Sequence, residues 1–212
     1  MSRGALAIPL SKGELTRQTV LEEAMQLASV QGLEGLSIGQ LAEATGMSKA
    51  GLFAHFGSKE ELQLATIQSA RAFFSGRVLA PALQAPRGLP RLCAVLGSWL
   101  DYAEREFFRG GCFFAQVSTE FDSRTGPVKE LVALSMKEWR NTLERLVSEA
   151  KTEGDLPKGA DPAQLAFEFL ALAMGANNAF QLHAEQRAFS LARKSFRDRL
   201  RALAPGARLH PL

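Results

Sequence analysis

The chain has 212 residues, 46% of them hydrophobic and 22% charged, with a formal net charge of +3 and a pI near 9.1. That composition fits one large or two modest globular domains and permits a nucleic-acid partner without demanding one. Two cysteines, Cys93 and Cys112, are too few for a disulfide framework, and the longest apolar stretch, Leu165 to Ala176, contains Glu168, so a membrane span is not expected and the cytoplasm is the expected compartment.

Residues 1 to 14 mix Gly, Pro, Ser, Arg3 and Lys12 without periodicity and read as a flexible basic arm, in which Ala5 to Leu10 is too short for a signal-peptide core. From Thr16 the pattern turns helical. Val20, Ala24, Leu27 and Ala28 share one face of a helix that stops at Gly32, and Gly35 continues the turn. Next comes the run Ser37 to Lys59, which reads as two short helices joined by a tight turn, followed by a third. Ser37 and Gln40 have capping-box spacing, Gly46 supplies a left-handed helix stop, and Ser48 opens the next helix. Leu52 and Phe56, four apart, point that helix at the core and leave Lys49, Ala50, Gly51 and Phe53 facing elsewhere. Ser58 and Glu61 repeat the capping spacing. This arrangement sets one small helix where it can enter a DNA groove.

A longer helix runs from Ser58 to about Leu79, and Pro81, Pro86, Gly88 and Pro90 then break the chain. The domain boundary is expected inside that helix, with a DNA-binding unit over 15–75, a regulatory domain over 76–206 and a tail over 207–212. Later segments are helical at about Leu92 to Phe108, Cys112 to Phe121, Pro127 to Glu153, Pro162 to Gln186 and Arg187 to Leu203. No strand signal is present, so the expected fold is all-α with about nine helices. In the third segment Val128, Leu131, Val132, Ser135, Trp139, Leu143, Leu146, Val147 and Ala150 trace one buried stripe. Asp161-Pro162 is a cap followed by a first-turn proline. The helix beyond it is apolar on nearly every side, as expected where a core also meets a second subunit, and Ala171, Gly175 and Ala179 give it a smooth ridge for close helix approach.

Trp99, Tyr102, Phe113, Phe114, Val117, Met136, Trp139, Phe169, Met174, Asn177 and Asn178 are placed to converge between the middle helices, and most of them serve as core. The amides Asn177 and Asn178 need partners in an apolar helix, from a pocket, a water or an interface. Cys112 follows Gly110-Gly111 at a helix start, which suits either a redox-sensitive thiol or a buried inert one. Pairing it with His183 as a catalytic couple lacks a residue to orient the histidine, and there is no phosphate loop or metal-ligand spacing, so no enzyme activity, cofactor or metal is expected. The last helix sets Arg187, Arg193, Lys194, Arg197, Arg199 and Arg201 opposite Phe189, Ala192, Phe196, Leu200 and Leu203. That pattern is the solvated outer face of a dimer helix or a membrane or nucleic-acid contact.

The residues Ser37, Gly46-Met47-Ser48, Leu52-Phe53-Ala54-His55-Phe56 and Ser58-Lys59-Glu60-Glu61-Leu62 make the first 75 or so positions resemble the DNA-binding domain of the TetR (tetracycline-repressor-like) transcriptional regulators. The rest of the chain resembles that family in helical character and length. The resemblance implies a homodimer built on the last two helices, here with Ala171, Gly175, Ala179, Phe189 and Phe196, and a larger domain enclosing a pocket for an unknown small-molecule effector. It also implies a repressor that binds a palindromic double-stranded operator, released by a largely apolar effector. Phosphate contacts fall to Arg17, Ser37, Ser48, His55 and Lys59, and base reading to Lys49 and Ala50, with Gly51 letting the backbone come close. Two positions depart from the family pattern. Phe53 stands where Tyr is usual, and Gly39 where a longer polar residue is common. The alternative is a helical small-molecule-binding or interaction module without sequence-specific DNA binding.

Overall fold

The computed structural model describes residues 11–105, 107–207 and 209; Arg3 and most of the expected basic arm lie outside the described residues. The part of the arm that is described is already helix. Ser11 caps α1 (Lys12–Gly35) by accepting the Glu14 N–H at 3.2 Å while the Glu14 carboxylate accepts the Ser11 N–H at 2.7 Å. This closed box satisfies two end donors and starts the helix four residues before the apolar periodicity does.

α2 (Ile38–Thr45) and α3 (Lys49–Phe56) form the expected helix-turn-helix, with Gly46 left-handed at φ 68° between them. The Ser37 hydroxyl accepts the Gln40 N–H at 3.2 Å and donates to Gln40 Oε1 at 2.9 Å, and the Gln40 amide also pairs with the Gln31 amide instead of closing a box. Ser58 likewise accepts from the Glu61 N–H, while its own N–H goes to the Phe56 carbonyl. Both boxes are therefore half-formed, the side-chain half being present in each. Val20, Leu21, Ala24, Leu36, Leu41, Leu52, Phe56 and Leu62 build a small core beneath these helices.

α4 (Lys59–Phe74) does not stop at the first proline. It widens into a π-helical turn, Ser75–Leu79, and continues as the short α5 (Ala80–Ala82), so the three make one rod. A proline ring in an α-helix clashes with the carbonyl four residues back, here that of Arg77. The wider turn relieves that clash, the Ala80 N–H reaching back to Ser75, and the Ser98 hydroxyl lies 3.4 Å from the Arg77 carbonyl. α6 (Leu89–Glu104) starts earlier than the periodicity suggests, since Pro90 falls in its first turn, where a missing N–H costs nothing. It also ends before Phe108. α7 (Phe113–Glu120), α8 (Pro127–Thr152), α9 (Pro162–His183) and α10 (Ala188–Leu203) complete an all-helical fold of nine separate rods among the described residues.

One large core joins α4 to α10. α9 packs between α8 and α10, and Asp161 caps it by accepting from the Ala163 and Gln164 N–H groups. Phe189 and Phe196 are fully buried inside this single chain, with the Phe196 ring 5.0 Å from Phe169 and the Phe189 ring 5.3 Å from Phe180. They are core residues and not the interface residues expected of them. An amphipathic helix turns its aromatics to the nearest apolar surface, which here is the chain's own α9. Three of the cations of α10 are ion-paired within the chain: Arg193 to Asp101 and Glu104, Lys194 to Asp198, and Arg199 to Glu168.

α7 is fastened to α1. Gly32 adopts φ 78° and ψ 170°, which breaks the helix and frees the N–H groups of Leu33 and Glu34. The Glu120 carboxylate takes both, Oε2 accepting from Leu33 at 2.7 Å and Oε1 from Glu34 at 2.9 Å. A Cβ at Gly32 would stand 2.4 Å from Glu120 Oε2, so only glycine allows both the kink and the approach.

Replacing Glu120 with Ala strands one partly buried and one exposed donor and is expected to lower the unfolding free energy by roughly 1–2 kcal/mol in urea denaturation, with Glu120→Gln losing about half of that. A second outcome concerns acid. Burial pushes the Glu168 carboxyl up, but the hydrogen bonds from Arg199 and Gln164 and the Arg199 charge more than offset it, so it stands below its ordinary value of 4.5. A lowered folded-state value contributes stability above pH about 4.5 and loses it as pH falls further. Glu168→Gln should therefore be less stable than the natural chain near neutrality, and the gap should close below that pH.

Candidate nucleic-acid interface and ligand cavity

α3 buries Leu52 and Phe56 and turns Lys49, Ala50, Phe53 and Ala54 outward, with Gly51 partly covered. Ser48 accepts the Gly51 N–H at 3.1 Å, which leaves its O–H free to donate. The Lys49 ammonium has no hydrogen-bond or ion-pair partner among the described residues. Its Cε and Nζ pass 3.7 and 3.9 Å from where a Cβ on Gly39 would stand, so the glycine leaves this lysine room along α2. Phe53 is 50% exposed. With Ala50 and Ala54 it makes the outward face mostly apolar, and Ala54 is a member that the sequence reading did not single out. Arg17 on α1 sets its guanidinium over the Phe56 ring at 5.0 Å, and the half-buried His55 ring tilts against the same phenylalanine.

Ser37 and Lys59 flank this face. Lys59 is committed within the protein, donating to the Glu34 carbonyl at 2.6 Å and pairing with the Glu34 carboxylate at 3.3 Å. Partial burial raises the Glu34 carboxyl, and Lys59, Gln63 and Arg124 more than offset it, so it lies below the usual carboxylate range.

A cavity of about 380 Å³ opens between α4, α6, α7, α8 and α9. Of the residues expected there, Trp99, Phe114, Met136, Trp139, Met174 and Asn177 line it. Tyr102, Phe113, Val117 and Phe169 do not, and are buried behind the wall. Phe113 is instead fully buried in the core, with its ring 6.1 Å from that of Phe108. Tyr102 turns instead into an aromatic cluster with Phe74 and Phe107 at 5.3 and 6.0 Å, where burial holds its hydroxyl well above the usual range. Asn178 is exposed on the far face of α9.

The sequence reading missed Arg71, Phe74, Ser135, Glu138 and Thr142 in the lining. The positions three and four from Trp139 along α8 carried that signal; those on α4 did not, because nothing in the sequence shows that α4 crosses α8. Arg71 and Glu138 face each other there as an ion pair. Asn177 Oδ1 accepts the Cys112 N–H at 2.9 Å. Cys112 is buried and burial pushes its thiol up, against the local pull of the Phe114 and Ala115 backbone, so thiolate chemistry is opposed. His183 is exposed and is not brought to Cys112.

The outer face of α9 carries Phe167 at 65% and Leu182 at 69% exposure, with Ala171, Gly175 and Asn178 between them, while Ala179 is partly buried. Among the described residues no group of metal-ligating side chains comes together, and no helix is long and apolar enough to cross a membrane.

Comparison with known proteins agrees with this geometry. Residues 20–66 match the model of bacterial regulatory proteins of the tetR family, and residues 88–196 match the tetracyclin repressor-like C-terminal domain. The HTH-type transcriptional regulator TcmR of Streptomyces glaucescens is 31% identical over 193 residues, covering 88% of this chain and 83% of that protein. The HTH-type transcriptional repressor AcnR of Corynebacterium efficiens is 46% identical over 50 residues, covering 24% of this chain and 27% of its own length. A TetR transcriptional regulator from Chloroflexus aurantiacus J-10-FL superposes with a TM-score of 0.81 at 28% identity, over 88% of this chain and 94% of that one. AibR, solved in complex with isovaleryl coenzyme A and operator DNA, superposes with a TM-score of 0.70 at 25% identity, over 90% of this chain and 98% of its own. Matched by the family across both halves and by a relative along most of its length, the chain belongs to the TetR family of bacterial transcriptional regulators.

Proposed function

We propose that the protein is a ligand-responsive repressor, a homodimer that holds a palindromic operator through α3 and releases it when a small, largely apolar effector fills the cavity. The observation that carries this reading is α7. Cys112, Phe114 and Ala115 at its start line the cavity, and Glu120 at its end is bonded to α1 of the DNA-binding unit. An effector that shifts the first turn of α7 must therefore act on α1, and binding that favours one arrangement lowers the population of the other. AibR, a relative of this fold, is solved with a small molecule and operator DNA, which supports separate sites for the two in a chain of this fold.

On DNA, Lys49 reads a guanine edge and Ala50 a thymine methyl. Arg17, Ser37, Ser48 and His55 serve phosphates, and Lys59, held by Glu34, contributes least. Phe53 adds apolar contact where a hydroxyl would bind phosphate. The second copy docks on the outer faces of α9 and α10, where Phe167, Leu182 and Leu191 are exposed and Ala171 and Gly175 allow close approach.

The test is fluorescence anisotropy on a fragment selected by the protein from its own genome, read across salt. Lys49→Ala should cost about 1–3 kcal/mol on that fragment and relax its sequence preference. Arg17→Ala should weaken all DNA alike and lower the salt slope by about one. Phe53→Tyr should tighten binding about tenfold or more, the worth of one hydrogen bond to a charged phosphate. No retention of any fragment at low salt by a folded dimer would overturn the proposal.

A further inference from the structure

Asn177 is a buried amide on an otherwise apolar helix, 9% exposed, on the wall of the cavity. Its hydrogen bond fixes which way the amide points. Oδ1 accepts from the Cys112 N–H, so the two Nδ2 donors are left over. They meet no acceptor among the described residues. Nor are they sealed in, unlike Trp139 Nε1, which is fully enclosed without a partner. An amide donor held at a cavity wall selects a ligand that brings an acceptor.

The rest of the lining says what surrounds that acceptor. Phe74, Trp99, Phe114, Trp139 and Met174 supply four aromatic rings and a thioether, which suits an aromatic body. The charges on the lining, Arg71 and Glu138, satisfy each other, so a charged ligand finds no uncompensated partner there.

The other end of the same hydrogen bond leads to the DNA-binding unit. Cys112 closes a segment whose Gly110 N–H donates to the Ser29 hydroxyl at 3.1 Å and whose Arg109 N–H donates to Gln26 Oε1 at 3.1 Å, both on α1. A Cβ on Gly110 would stand 1.9 Å from the Ser29 carbonyl oxygen, so this segment is pressed directly on α1. Asn177 is thereby one hydrogen bond from the effector space and one short segment from the DNA-binding helices.

We infer that Asn177 is the effector-reading residue: Nδ2 donates to a carbonyl oxygen of an uncharged aromatic ligand, while Oδ1 holds Cys112 and its segment against α1. The inference rests on the cavity being the effector site. Both tryptophans of the chain line it, so intrinsic fluorescence reports its filling.

The probes are methyl 2-naphthyl ketone and 2-isopropenylnaphthalene, which share one heavy-atom framework and differ by C=O against C=CH2. The natural full-length protein should bind the ketone about five- to tenfold tighter, the worth of one hydrogen bond. Asn177→Asp keeps an acceptor for the Cys112 N–H but loses the donor, so its preference for the ketone should vanish at pH 8 while retention of the selected DNA fragment persists. Asn177→Leu carries no buried charge and serves if the first variant does not fold. It should lose the ketone preference as well, and also weaken DNA retention by freeing Cys112. If either folded variant keeps the preference, or the natural protein binds both probes equally, the inference is wrong and the cavity reading stands. Should neither probe change the tryptophan fluorescence of the natural protein, the cavity reading fails and the inference with it.

Discussion

Gly32 breaks α1 and leaves the Leu33 and Glu34 N–H groups pointing off the helix, and the carboxylate of Glu120, 87 residues beyond Leu33, accepts both. Much of the architecture answers to that contact. It fixes where α7 lies, and so where Cys112 and Phe114 face the cavity. It also sets the last turn of α1, whose Glu34 holds Lys59 at the start of α4. A carboxylate at a broken helix end is favourable because the freed donors carry partial positive charge, and a second residue in that place could satisfy both only with two oxygens in a plane.

The long rod of α4, its π-helical turn and α5 has a comparable logic. Its first half belongs to the small core under the helix-turn-helix, and its later turns supply Arg71, Phe74, Ser75 and Leu79 to the cavity wall. The π-helical turn accommodates Pro81 while the helix runs on from α4 into α5. Together with α7 it gives the cavity two rigid connections to the DNA-binding helices, one continuous in backbone and one made through side-chain hydrogen bonds.

Helix positions, the turn at Gly46, the cap at Asp161 and the buried stripe of α8 were legible because each depends on neighbours within about four residues. The first turn of α1 was missed for a related reason: Ser11 and Glu14 do form a box, but no apolar periodicity accompanies it in that stretch. For the cavity, six of the residues expected to line it do so. The errors at Phe113, Val117, Tyr102 and Phe169 came from composition, since an aromatic or bulky apolar residue in a middle helix suits a wall and a core equally well.

The sequence by itself determined the helical pattern, the helix-turn-helix and the face of α3 that looks outward, because backbone propensity, capping and a 3.6-residue period are written locally. Which aromatics meet each other, what covers the apolar side of α10, and which carboxylate closes the break at Gly32 were decided only by tertiary structure. Those contacts join residues tens of positions apart, and their partners are set by how helices cross. The same holds for Asn177: the sequence shows an amide in need of a partner, and only the fold shows that its oxygen is taken and its donors are not.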